Sequence, residues 1–135
     1  MRRWLWLLVM TALTTGMASA QQAPVLARLD ADGVQRLSIV GGNYHFRPDR
    51  IRVRAGVPVE LEVSRTTRTP HDLVIQDARM GLDIAVDLER DPVLVRFTPE
   101  VAGRLVFYCD QRLLFFPSHR DRGMWGVLEV VAELE

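Results

Sequence analysis

Lysine is missing altogether: all 17 basic residues are arginine, which excludes Schiff-base and lysine general-base chemistry. Cysteine is nearly missing. Cys109 is the single one, so no disulfide can form within the chain, and in an oxidising compartment a lone thiol pairs with another chain, reacts or is held by a metal. No convincing helix-period stretch of ordinary length occurs, nor do internal repeats, low-complexity tracts or a nucleophile, base and acid arranged as a hydrolytic triad. Charge of one sign is also lacking, with 17 basic residues against 17 acidic. That balance leaves no whole-chain electrostatic footprint for nucleic acid or an anionic membrane.

What is present begins with an export-like leader. Arg2 and Arg3 precede an apolar run from Trp4 to Leu13 and small residues ending Ala18-Ser19-Ala20. This is the layout of a secretory signal over residues 1–20. The run is shorter than the ~20 residues that cross a bilayer. A periplasmic protein without a membrane span in its mature form is expected. Removing residues 1–20 takes two arginines and leaves 115 residues with 15 basic against 17 acidic, enough chain for one core. Residues 21–35 read as a leader segment or first strand and 36–135 as the domain proper.

From Arg36 the apolar period is two. Leu37 and Ile39, then Ile51 and Val53, then Val57, Val59, Leu61 and Val63 alternate with polar neighbours, with arginines flanking the second set and Glu60 and Glu62 the third. Further strands are expected at His71–Ile75, Val93–Phe97, Arg104–Tyr108 and Gly126–Leu134, with an irregular excursion over 77–91 that holds one more. Seven to eight short strands with turn signals every eight to twelve residues predict an all-β Greek-key sandwich.

On such a sandwich His71 starts one strand and Cys109 ends another, and the following segment can return His119 and Met124 to the same rim. Each has a plainer reading alone, as a surface histidine, a buried thiol or a core methionine. Together, one thiolate, two imidazoles and a weak thioether are the donor set that suits a mononuclear copper ion cycling between Cu(I) and Cu(II). Here the chain resembles the cupredoxin family over roughly residues 37–131. The resemblance is carried by Asn43-Tyr-His-Phe-Arg-Pro48 through Gly56, by Pro70-His71-Asp-Leu-Val, by Phe97-Thr-Pro99 through Gly103-Arg-Leu-Val-Phe-Tyr-Cys109, and by the order His, Cys, His, Met.

One departure stands out. Blue-copper members of the family usually place two to four residues between the cysteine and the second histidine, and here nine intervene. A loop that long must be held by its own packing. Leu113–Pro117 could fold over the site as a flap or stay exposed as an apolar rim patch, while Ser118 with Asp121 could cap a helical turn. His45 is the substitute ligand should the loop misplace His119, and Asn43 or Asp72 is the candidate outer-shell partner. The resemblance implies a one-electron carrier with a redox partner protein and no substrate chemistry of its own. The alternatives are copper trafficking with a donor or acceptor protein, a small copper enzyme with an open coordination position, and a metal-free interaction domain.

Overall fold

The alternating stretches do become strands. The computed structural model describes residues 22–133, and the expected leader over 1–20 lies outside them. Eleven strands follow in order: β1 (Val25–Leu26), β2 (Arg28–Leu29), β3 (Gln35–Gly42), β4 (His45–Arg47), β5 (Arg50–Arg54), β6 (Val59–Arg65), β7 (Asp72–Asp77), β8 (Leu82–Asp87), β9 (Val93–Phe97), β10 (Gly103–Tyr108) and β11 (Trp125–Val131). One sheet has the order β1-β5-β11-β10-β7-β8 and the other β2-β3-β6-β9, with β4 added on β3. The result is the expected β-sandwich. Its three additional strands, β1, β2 and β4, are only two or three residues long, too short to show a period of two. β1 and β2 lie in the stretch read as leader or first strand, and they join opposite sheets.

The apolar halves of the strands meet between the sheets. Ile51, Val53, Leu61, Val63, Leu73, Ile75, Phe107 and Leu128 are all fully buried there, each contributing about 1.5–3 kcal/mol of transfer free energy. The arginine-bearing β5 and glutamate-bearing β6 do not face each other, because they belong to different sheets. Arg50 and Arg52 pair instead with Glu129 of β11, which also takes Arg104 of β10. Glu60 of β6 takes Arg36 and Arg96 from its two neighbours, β3 and β9. The excursion over 77–91 is more regular than expected. Asp77 accepts from the N–H groups of Arg79 and Met80 to cap a 3₁₀ turn, and β8 then pairs antiparallel with β7 along its length.

Three strand ends define one rim. β10 is hydrogen-bonded between β7 and β11, with Tyr108 opposite both Val74 and Trp125. The residue before β7 at that end is His71, with Asp72 opening the strand; the residue after β10 is Cys109; the residue before β11 is Met124. Gly126 keeps the sheet closed beneath them, since a Cβ there would overlap the ring of Phe107 and the carbonyl oxygen of Asp49.

Candidate metal centre

Among the described residues, His71, Cys109 and His119 form a group whose donor atoms all lie within 4.8 Å of one another. His71 Nδ1 is 3.1 Å from His119 Nδ1, and Cys109 Sγ is 3.4 Å from His119 Nδ1 and 3.9 Å from His71 Nδ1. First-row ions bind thiolate and imidazole at about 2.0–2.3 Å, and neighbouring donors on one such ion stand apart by the distances seen here. All three side chains are buried.

The surrounding residues aim these donors. Thr67 Oγ1 lies 2.9 Å from His71 Nε2 and accepts its proton in the tautomer that leaves Nδ1 free, as outer-shell partners of metal-bound imidazoles do. Without a metal, the close Nδ1 pair is a hydrogen bond, His119 donating to His71 in that tautomer. Asp72 holds the cysteine side. Its N–H points at Cys109 Sγ (3.4 Å), and its carboxylate accepts from the N–H of Asp110 (2.6 Å) and from the Gln111 amide (3.4 Å). Asn43, the other candidate, reaches only His45, through its carbonyl oxygen. His45 is not part of the three-residue group.

The nine-residue spacing has a simple backbone solution. The N–H of His119 donates to the carbonyl of Gln111 at 2.8 Å, pinching off residues 112–118 as an excursion and returning His119 beside Cys109. Ser118 and Asp121 then bond reciprocally, Ser118 Oγ donating to the carboxylate at 2.8 Å and accepting from the Asp121 N–H at 3.2 Å. This caps the single turn over which Arg122 N–H meets the Ser118 carbonyl. Met124 is tied in on both sides, donating to the His119 carbonyl and accepting from the Cys109 N–H. Its side chain is fully buried in the core beside Gly41. Leu113–Phe116 do not cover the site as a flap. They stand in solvent, closed only by a turn from the Phe116 N–H to the Leu113 carbonyl.

Sequence reasoning missed Tyr44. Asn43 and Tyr44 both have positive φ, 48° and 59°, an uncommon region for residues other than glycine. This bend sets the Tyr44 ring edge-on to His119, with centroids 4.9 Å apart, and places Arg122 over it at 4.9 Å. Tyr44, Leu113, Phe116, Pro117 and Arg122 line a recess of about 190 Å³ against His119. The two consecutive positive-φ residues have no signature in side-chain type beyond the asparagine itself.

Burial sets the protonation of the group. Desolvation, with the neighbouring His119 and Arg65 adding to it, pulls His71 down to about 4. His119 is lowered by burial and by the charge of Arg122. The Cys109 thiol is pushed up to about 11 by desolvation, against the N–H groups of Asp72 and Gln111. Both imidazoles are thus neutral and ready to donate, while the thiol keeps its proton until a cation replaces it.

The family described as "Cupredoxin-like domain" matches residues 5–121. The chain belongs to this cupredoxin family. No curated protein matches it significantly. Among solved structures, it is similar to the metal-binding domain of the Streptococcus pneumoniae D39 Cu(I)-exporting P-type ATPase CopA with Cu(I), at 22% identity over 82% of this chain and 98% of that one, TM-score 0.64. A mutant fern plastocyanin matches at 24% identity, 70% and 100% coverage and TM-score 0.53. The "blue" copper protein auracyanin A of Chloroflexus aurantiacus matches at 18%, 73% and 100%, TM-score 0.55. At these identities the solved structures establish the cupredoxin fold. Cupredoxin membership and a buried thiol and imidazole group together support a mononuclear copper cofactor.

Proposed function

We propose that this cupredoxin carries single electrons, with His71, Cys109 and His119 as the residues that would hold copper strongly and Met124 as a weak fourth donor. The observation that carries the reading is the convergence of Nδ1, Nδ1 and Sγ within 3.1–3.9 Å, held by bonds that do not depend on a metal. Copper bound there supplies a one-electron couple between Cu(I) and Cu(II). The protein supplies the fixed frame. Thr67 orients one imidazole, Asp72 orients the thiolate strand end, and the Gln111–His119 backbone bond fixes the second imidazole. A frame set in advance needs little rearrangement when the charge on the metal changes. His119, which lines the recess, is the ligand a redox partner would approach. The leader over residues 1–20 assigns the work to the periplasm, and the chain is read as one domain with no catalytic residues.

Copper delivery is the second reading. The solved ATPase domain with Cu(I) shares this fold, and thiolate with imidazole serves a donor as well as a carrier. Voltammetry together with chelator challenge separates the two. An electron carrier gives a reversible one-electron wave and keeps Cu(I) against a strong chelator for many turnovers. Prompt loss of copper on reduction would contradict the carrier reading and favour delivery.

A further inference from the structure

The residues pinched off between Gln111 and His119 end in a protruding apolar tip. Leu113, Leu114, Phe115 and Phe116 are 67%, 76%, 85% and 45% exposed, a contiguous run of large side chains of the kind that marks an interaction site. None of them belongs to the core, and only Leu113 and Phe116 reach back to the recess against His119. Phe115 and Phe116 stack on each other with centroids 5.1 Å apart, and Leu114 at φ 50° turns the chain at the apex. The exposed length is a single turn closed by one backbone bond, so the tip is convex and not a flat face or a groove.

The residues around the base differ in kind. Arg112, Arg120 and Arg122 are exposed. Arg120 lies 4.2 Å over the Tyr108 ring and Arg122 over Tyr44, which fixes both cations at the rim by cation–π contact. Trp125, 49% exposed, is the register partner of Tyr108 and shares its side of the sheet. The acidic groups of this segment are Asp110, exposed, and Asp121, which is engaged by Ser118. Within residues 110–124 three arginines stand against two acids, and the carboxylate of Asp72 at the same rim is bonded to the Asp110 N–H and the Gln111 amide.

Leucine and phenylalanine at the apex with tyrosine, tryptophan and arginine beneath is the vertical order of a lipid interface, acyl chains below and headgroups at the aromatic level. We propose that the Leu113–Phe116 tip docks this protein onto an anionic lipid surface, with Arg112, Arg120 and Arg122 against the headgroups. A bilayer accepts a convex apolar tip without a matching cavity, whereas a protein partner needs one. Docking there holds the copper rim, and the recess against His119, next to the membrane plane.

The test uses the purified leader-free chain, since both sheets lie within residues 22–133. It is sedimented with vesicles of pure phosphatidylcholine and with vesicles containing about one third phosphatidylglycerol. The expected result is binding to the anionic vesicles about tenfold tighter than to the neutral ones at low salt. The emission of Trp125, the one tryptophan outside residues 1–20, shifts to shorter wavelength on binding. The double substitution Leu114→Glu with Phe115→Glu touches only exposed side chains, keeps the unfolding temperature, and removes both signals. Protein that stays in the supernatant with both vesicles, equal binding to the two, or undiminished binding of the double variant would overturn the proposal. So would a dimer that the double variant dissolves while no vesicle binds, which would make a second copy the occupant.

Discussion

Thr67 and Asp72 decide which atoms of His71 and Cys109 are free, and neither would hold copper itself. With Nε2 of His71 against Thr67, the lone pair of Nδ1 faces the group, and with Asp72 on the strand end the sulfur faces it too. The protonation states then fix how the site responds to pH. His71 is held near 4 and His119 is lowered, so both imidazoles are neutral at pH 7, while the thiol sits near 11 and is protonated. Copper binding at pH 7 should release close to one proton, that of Cys109. Affinity should climb about tenfold per pH unit from about pH 7 to pH 10, where both imidazoles are neutral and the thiol is still protonated. Calorimetry in two buffers of different ionisation heat counts that proton, and a count near zero or two contradicts the account.

At the level of elements, segment 109–124 works through its closure and not through its length. Because the Gln111–His119 bond excludes residues 112–118, replacing Leu113–Phe116 with Asn-Gly should leave copper stoichiometry and the visible spectrum unchanged, with the unfolding free energy moved by less than about 0.5 kcal/mol. Loss of copper from that variant would show that the tip packs the site after all. The strands supply a second case. Glu129 joins β5, β10 and β11 through Arg50, Arg52 and Arg104, and these cations pull its carboxyl down to about 2 from an ordinary 4.5. A depressed carboxyl contributes stability above its unfolded value and loses it as pH falls towards the folded one. Glu129→Gln should cost about 1–3 kcal/mol at pH 7. That gap should close between pH 4.5 and 2, as read from denaturant midpoints across pH.

Across the whole molecule, the long strands were legible because one face of each is buried, which writes a period of two into Ile51–Val53, Leu61–Val63 and Leu73–Ile75. β1 and β2 were not, since two residues cannot carry a period, and β4 was legible only through the resemblance carried by Asn43–Pro48. The pairing of β5 with β11 in parallel was also hidden, because alternation says which face is inside and nothing about the neighbour. At the rim, His71, Cys109, His119 and Met124 stood out by residue type and order. What arranges them did not: the Gln111–His119 closure is made by backbone groups that every residue possesses, Thr67 sits in a polar loop without pattern, and Tyr44 depends on two positive φ angles. The expected flap was undecidable from sequence for a similar reason, as Leu113–Pro117 is equally apolar folded in or standing out.

In the proposed site one copper ion is bound by the Cys109 thiolate together with His71 and His119. The sharpest check loads residues 21–135 with Cu(II) and records visible and EPR spectra, alongside Cys109→Ser. One copper per chain is expected, with an intense thiolate-to-copper absorption that disappears in the serine variant. A colourless protein that takes up no stoichiometric copper, or a band that survives the substitution, would contradict it.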